Sequence, residues 1–347
     1  MLPKVLSKDH FCGLVARLLS GRTVYAPVAK GPAFAFCEIA GPDEISQIRM
    51  DYDISLLPPK KFFMPQRETL LTFQSKGPDG VRAEVHSQPA AILGVHPYDL
   101  HGIATLDAAF SLGARDAYYL AKRAATLLIG LNIQAPANDN QFAADMRAID
   151  PPAAGYDLFL TDLGDRYYVE GGTPAGEALA DDDAFIQAVG ADHMAKQAYD
   201  AAKAAHFKRK LPYDTRYLPE LLDGAYDSLV WDAAARKCFS CGTCTNVCPT
   251  CYCFDVLDKL SMDATSGTRE RTWDSCQLEG FAVVAGGENF REERPSRLRH
   301  RMFRKGKYIF ERTGRTGCVG CGRCITHCVA KISILEAFQQ IADQVGA

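Results

Sequence analysis

Most signals that would place a chain outside the ordinary globular class are missing from this 347-residue sequence. No apolar run approaches the roughly 20 residues a spanning helix needs, and stretches such as Ala124 to Leu131 fall far short. The opening Met1-Leu2-Pro3-Lys4 leads into mixed polar sequence without the apolar centre of a secretion signal, so a cytoplasmic location is expected. Neither charge sign dominates: 39 Lys and Arg against 42 Asp and Glu leave −3, so nucleic acid is not an expected partner. Internal repeats at solenoid periods and low-complexity segments are absent too. With 47% hydrophobic residues the chain can bury a core and is not a disordered polymer. No Ser/His/Asp set, H-E-x-x-H pair or paired carboxylates stand out, so no catalytic residues are assigned. Gly171 to Gly176 follows a strand and opens a helix, but it lacks G-x-G-x-x-G and a Walker lysine. Thr173 as N-cap and Pro174 at the first helical position account for it.

Cysteine is what the chain does have. Its 13 cysteines are too few for a disulfide scaffold and many for a chain without an export signal, which favours metal or redox chemistry. They are unevenly placed. Cys12 and Cys37 stand alone near the start, and eleven fall between Cys238 and Cys328. That asymmetry predicts two domains, an α/β unit over 1–225 and a helical unit over 226–347, in an α+β chain.

In the first unit, Ser7 is read as the cap of a helix with Phe11, Leu14, Val15 and Leu18 inward. Strands are read at 23–25, 34–36, 70–73, 90–95 and 127–133, with an amphipathic helix over 100–112. The prolines around Lys60-Lys61-Phe62-Phe63 suggest an extended segment. Residues 156–161 and 166–169 flank a Gly-containing turn and read as a hairpin. A helical stretch is expected from Thr173 to about Lys208, then a linker over 212–217.

The cysteine-rich part carries C-x2-C-x2-C-x3-C twice, at Cys238, Cys241, Cys244, Cys248 and at Cys318, Cys321, Cys324, Cys328. Pro249 follows the first run and Val329 the second. This is the ferredoxin spacing for [4Fe–4S] clusters, in which three close thiolates take three corners of one cluster and the fourth ligates the other. One cluster is therefore assigned to Cys238, Cys241, Cys244 and Cys328, the other to Cys318, Cys321, Cys324 and Cys248. A four-cysteine zinc site is the competing reading, but eight cysteines in two matching runs favour clusters. The long connection between the runs, with Phe254 to Leu260 and Gly280 to Ala285 read as helices, suggests a helical two-cluster module. Cys251, Cys253 and Cys276 could hold a third [4Fe–4S] cluster, completed by Cys37, an Asp or a His, or could pack as small apolar residues. Cys12 is expected in the core. His96 and His101 are read as hydrogen-bonded structure rather than metal ligands. Arg291 to Lys307 holds eight Lys and Arg, either compensating cluster charge or docking an acidic partner. Arg323, inside the second run, is expected to favour the reduced cluster.

Taken together, Cys248-Pro-Thr-Cys251-Tyr-Cys253, Arg271-Thr-Trp273-Asp-Ser-Cys276 and Ala285-Gly-Gly-Glu-Asn-Phe-Arg291 resemble a known family. Pro58-Pro-Lys-Lys-Phe-Phe63, Gly94-Val-His-Pro-Tyr-Asp99 and Leu106-Asp107 extend the likeness upstream. It is the iron–sulfur β subunit of cytosolic [NiFe] sulfhydrogenases, similar to the iron–sulfur component of anaerobic sulfite reductase. The resemblance implies an electron-transfer subunit of an oxidoreductase, in the hydrogenases an NAD(P)-linked one. It would connect an FAD- and [2Fe–2S]-containing NAD(P)H subunit to the small and large [NiFe] hydrogenase subunits, or to a sirohaem subunit in a sulfite reductase. One departure stands out: relatives carry cysteines where this chain has Tyr98 and the segment Gln134 to Asn140, so a metal site there is not carried over.

Overall fold

The computed structural model describes residues 1–74 and 80–345. Its strands are β1 (Lys4–Ser7), β2 (Thr23–Lys30), β3 (Ala33–Ile39), β4 (Arg67–Gln74), β5 (Val81–Ala83), β6 (Ala90–Val95), β7 (Thr126–Leu131), β8 (Leu158–Asp162), β9 (Arg166–Gly171), β10 (Phe185–Gln187), β11 (Phe254–Leu260) and β12 (Ser266–Trp273). The helices are α1 (Lys8–Leu19), α2 (Pro97–Ser111), α3 (Ala117–Ala125), α4 (Pro174–Leu179), α5 (Gly190–His206), α6 (Leu218–Gly224), α7 (Val230–Ala235), α8 (Thr243–Asn246), α9 (Arg294–Phe303), α10 (Ile309–Thr313), α11 (Arg323–Thr326) and α12 (Ile334–Val345). The chain is α+β. Among the described residues no helix is long and apolar enough to cross a membrane.

An eight-stranded sheet in the order β10-β1-β9-β8-β7-β6-β2-β3 forms the first core. Strands β2, β6, β7 and β8 run parallel, and the rest pair antiparallel. Covered on both faces, β6 is the unbroken apolar run Ala90–Val95, buried at every residue. Ser7 Oγ accepts from the His10 N–H at 3.3 Å and starts α1, whose Phe11, Leu14, Val15 and Leu18 are buried. The hairpin is β8–β9, and Thr173 caps α4.

Several local expectations give way to tertiary packing. Helix α2 is buried on nearly all sides rather than amphipathic, because it lies between the sheet and the cysteine-rich part. Lys60-Lys61-Phe62 form a single 3-10 turn, since prolines at 58 and 59 also suit a helical start. The helical stretch after Thr173 is broken by β10, which pairs with β1. The expected linker at 212–217 includes the 3-10 turn Thr215–Tyr217, with Thr215 buried. Cys12 is exposed on α1 rather than in the core, one residue after the inward Phe11.

The largest correction is at Phe254 to Leu260, read as a helix and found as strand β11. Phe254, Leu257 and Leu260 have a helical three-residue spacing, but pairing with β12 overrides it. Asp258 faces Arg269 across the pair and bonds it at 2.7 Å, and Lys259 bonds Glu270 at 2.7 Å. Residues 280–285 likewise hold only the end of the 3-10 turn Glu279–Ala282 before the chain extends. The β11–β12 hairpin joins β4 and β5 in a second sheet, order β11-β12-β4-β5. Buried Arg271 on β12 ties it to Glu68 at 2.9 Å and to Asp116. A second core likewise mixes Phe142, Met146, Leu218 and Leu222 with Leu298, Met302, Phe303 and Phe338. Segments on both sides of residue 225 therefore share a sheet and a core.

Candidate metal centre

Each cysteine run folds as a tight loop leading into one helical turn that carries its third cysteine, α8 in the first and α11 in the second. The two loops have the same backbone. Gly242 (φ +77) and Gly322 (φ +78) occupy the left-handed region, as do Ser240 (φ +55) and Gly320 (φ +63) two residues earlier. The left-handed steps turn peptide N–H groups inward. Ser240 N–H donates to Cys238 Sγ at 3.3 Å, and Gly320 N–H to Cys318 Sγ at 3.4 Å. Such donors stabilise thiolate, the form that binds iron.

The runs pack against each other through α8 and α11. A cavity is lined by Cys238, Cys241, Cys244 and Cys328, with Gln277, Leu298, Arg301, Cys324 and the inner sides of Phe239 and Val329 in its wall. The fourth cysteine of the second run thus lies with the first three of the other. Burial, then the thiols of Cys324, Cys238 and Cys328, push Cys244 up to about 11 against the opposing charge of Arg301. On the other side, burial and the thiols of Cys324, Cys248 and Cys321 raise Cys318. Burial also lifts Cys321 to about 12, with Cys248 and Cys324 adding and Arg323 opposing. These are thiols crowded enough to resist becoming thiolates together, a conflict that a multivalent cationic core removes. Among the described residues no three or more His, Cys, Asp or Glu converge tightly enough to hold one metal ion. Thiols ringing a cavity suit a four-iron body with thiolates at its corners better than one ion at a centre.

A family described as a 4Fe-4S dicluster domain matches residues 237–332. The chain is also 32% identical over 340 residues to the sulfhydrogenase 2 subunit beta of Pyrococcus furiosus, across 97% of this chain and 98% of that protein. The chain belongs to the sulfhydrogenase β-subunit family. A dicluster domain implies two iron–sulfur clusters.

In this member of the sulfhydrogenase β-subunit family the two halves of the dicluster domain sit in different surroundings. The second run is pressed under the N-terminal part of the chain. Phe142 N–H donates to Gly320 O at 2.8 Å, and a side chain at Gly320 would meet Phe142 O at 2.5 Å. Gly102 of α2 abuts Pro249, where a Cβ would lie 2.6 Å from the ring. Arg323 is fully buried and bidentate to Asp99 at 2.6 and 2.7 Å, with further bonds to Ser55 O at 2.7 Å and Ser55 Oγ at 3.2 Å. Its charge is shared between Asp99 and the neighbouring Cys321. His96 stacks on Tyr52 at 4.1 Å and bonds the Tyr98 hydroxyl at 2.7 Å, as hydrogen-bonded structure should. His101 contacts Asp150 O at 3.0 Å. The segment 134–140 braces α11, with Asn140 Nδ2 donating to Thr326 Oγ1 at 3.0 Å.

Three members of the basic run turn inward toward the cysteines, while Arg294 stays exposed. Arg297, Arg301 and Lys305 recur every four residues, share one face and are buried. A π-helical turn at Arg304–Tyr308 continues α9 into α10 and keeps Lys305 inside. Burial alone would discourage the charge on Arg301, yet the thiols of Cys244, Cys324, Cys251 and Cys248 hold it well above the usual guanidinium value. Its one polar contact among the described residues is Met302 Sδ at 3.7 Å, and its Nε has no acceptor. Arg297 reaches Ser240 Oγ at 3.3 Å and pins the first loop. Lys305 donates to Thr250 Oγ1 at 2.5 Å, and Thr250 Oγ1 lies 3.3 Å from Cys248 Sγ. Lys60 joins them from the N-terminal part, donating to Cys251 O at 2.8 Å over the Trp273 ring. Arg299 and Lys307 are half-buried and paired with Asp227 and Asp223, so the run is not a free basic face. Lys60, Asp99 and Thr250 carried no sequence signal of this role. The four-residue spacing of Arg297, Arg301 and Lys305 could have revealed a shared face.

Cys251, Cys253 and Cys276 are also brought together. The neighbouring Cys276 thiol and burial raise Cys253, while Cys253 lowers Cys276 against the opposing effect of burial. Cys251 pairs with Cys248 and feels Cys253. Cys37 is elsewhere, half-buried on β3 opposite Ala26.

Proposed function

We propose that this chain is a cytoplasmic electron relay within a soluble, NAD(P)-linked [NiFe] hydrogenase complex. Cys238, Cys241, Cys244 and Cys328 would hold one [4Fe–4S] cluster, and Cys318, Cys321, Cys324 and Cys248 the other. A [4Fe–4S] cluster accepts and passes on one electron at a time. The observation that carries the reading is the pair of matched loops, each aiming peptide N–H groups at its first thiol, packed so that thiols of both runs adjoin. Four-cysteine ligation leaves no open coordination position, so the chain's own residues hold, insulate and charge-balance the clusters. The 1–225 segment serves as their cover and the 226–347 segment as their carrier. The partners we assign are the [NiFe] heterodimer and an FAD- and [2Fe–2S]-bearing NAD(P)H subunit. Purifying the native complex and assaying NAD(P)H-dependent H2 formation beside sulfite reduction tests this. H2 formation supports it, whereas sulfite reduction alone would move the chain to a sirohaem partner.

We assign a third [4Fe–4S] cluster to Cys251, Cys253 and Cys276. Support comes from their grouping beneath Lys60, Arg304 and Lys305, cations buried against sulfur. Iron per chain near about twelve, four for each cluster, supports the assignment. Near about eight leaves the three thiols as packing groups.

A further inference from the structure

The two cysteine runs are matched in backbone and opposed in environment, and the mismatch points to a missing cover. Residue by residue, Phe239 corresponds to Val319, Cys241 to Cys321 and Val329 to Pro249. In the second half all three positions are closed. Val319 is 2% and Cys321 7% exposed, packed with Tyr98, Ile133 and Ala143, and Pro249 is buried against Gly102. In the first half the equivalents are open: Phe239 is 72% and Val329 70% exposed, and Cys241 is exposed between them in sequence order. The loop 275–278 covers one side of the first run, where Ser275 abuts Gly242, but it leaves these residues bare. Leu278, also near Gly242, is 40% exposed and widens the apolar area. A phenylalanine and a valine flanking a metal ligand at the surface are costly in isolation and favourable under a partner.

Charge specifies what kind of partner. Arg236 and Lys237 immediately precede Cys238, and Lys331 follows Val329 by two residues. All three are exposed, and none has an ion-pair partner among the described residues. The exposed acids nearby are Glu279, beside Leu278, and Glu292, whose backbone oxygen accepts from the same Arg297 that bonds Ser240.

We propose that the face formed by Phe239, Cys241, Leu278 and Val329 is the docking surface for a redox subunit that has an apolar centre ringed by carboxylates and its own redox group close behind. This rests on the relay reading. It adds that electrons cross the protein boundary at the Cys241 corner of the first cluster, while the second cluster is sealed by the chain itself. The three cations would steer and register the acidic partner, and the apolar residues would exclude water.

The test uses the full chain with its clusters, isolated as the native complex through a tag on this chain. Two variants are compared with wild type: Phe239→Glu with Val329→Glu, and Lys237→Glu with Lys331→Glu. Met194→Glu, on exposed α5, is the control. Iron content should match wild type in all of them, and the dithionite-reduced EPR spectra should match in the lysine variant and the control, whose residues lie outside the cavity lining. The docking variants should lose one redox subunit or transfer electrons to it at least tenfold more slowly, and the lysine variant should also lose the steep salt dependence of the wild-type rate. Either docking variant with intact clusters, all subunits and wild-type rates overturns the proposal. A wild-type complex whose clusters no redox subunit can reduce or oxidise overturns the relay reading itself, a different result from an unaffected variant.

Discussion

Replacing Arg301 with methionine isolates the electrostatic part of the site. The guanidinium is buried, lines the first cavity, is flanked by thiols of both runs and has no carboxylate partner among the described residues. Its positive charge therefore acts on the clusters without internal cancellation. Adding an electron makes a cluster more negative, so a nearby cation favours the reduced state and its removal lowers the potential. At about 6–8 Å and an effective dielectric of about 20, the Coulomb term is about 2–3 kcal/mol. With about 1.4 kcal/mol per 59 mV for one electron, that is a drop of about 90–120 mV. Methionine keeps much of the volume, and the cavity should still accept the cluster. The assay is an EPR-monitored potentiometric titration of the cluster-loaded chain. Both potentials should fall, the first cluster's more, because Cys244 is the thiol that most strongly supports the Arg301 charge. Arg301→Lys should recover most of the shift. A drop under about 30 mV, or any rise, would refute the idea that this charge sets the potentials.

Other outcomes follow from the same geometry. Arg323→Met leaves Asp99 buried without its partner and should cost about 3–5 kcal/mol, read by denaturant unfolding; a cost below about 1 kcal/mol would mean that water reaches Asp99. Gly320→Ala should destabilise by about 1–3 kcal/mol, because φ is +63 and Phe142 O blocks the new Cβ, whereas Ser240→Gly, at the matching position, relieves the left-handed φ but gives up the Arg297 bond and should change stability by less than about 1 kcal/mol. Equal effects at the two sites would deny the asymmetry of cover. Buried His96 is held neutral, first by desolvation and then by Arg323, with its pKa lowered to about 3. The unfolded chain takes up that proton near the ordinary histidine value of about 6.5. This contribution is complete above that pH and fades as pH falls toward 3, at up to about 1.4 kcal/mol per pH unit. Urea unfolding of wild type and His96→Gln between pH 6.5 and 5 should show the steeper loss in wild type; parallel curves would contradict it.

The ferredoxin spacing was legible because three thiolates must meet one cluster from a single tight loop, and that constraint is written locally, while the fourth comes from the matching run. Ser7, Thr173 and the β8–β9 turn were legible for the same reason, since capping and turn chemistry involve near neighbours. The helix read at 254–260 failed because that segment pairs with β12, and β12 in turn is held by β4, about 190 residues earlier in the chain. The role of the basic run was also invisible in sequence. Arg301 and Arg299 are two residues apart, yet one faces thiols and the other Asp227, and only the helix face decides. Sequence by itself determined the chemistry of this protein, because thiolate number and spacing leave little else for those residues to do. Tertiary structure decided the electrostatics and the direction of access. Lys60 and Asp99 reach the cysteine loops across the chain, and one of two near-identical loops lies under the N-terminal part while the other is left open.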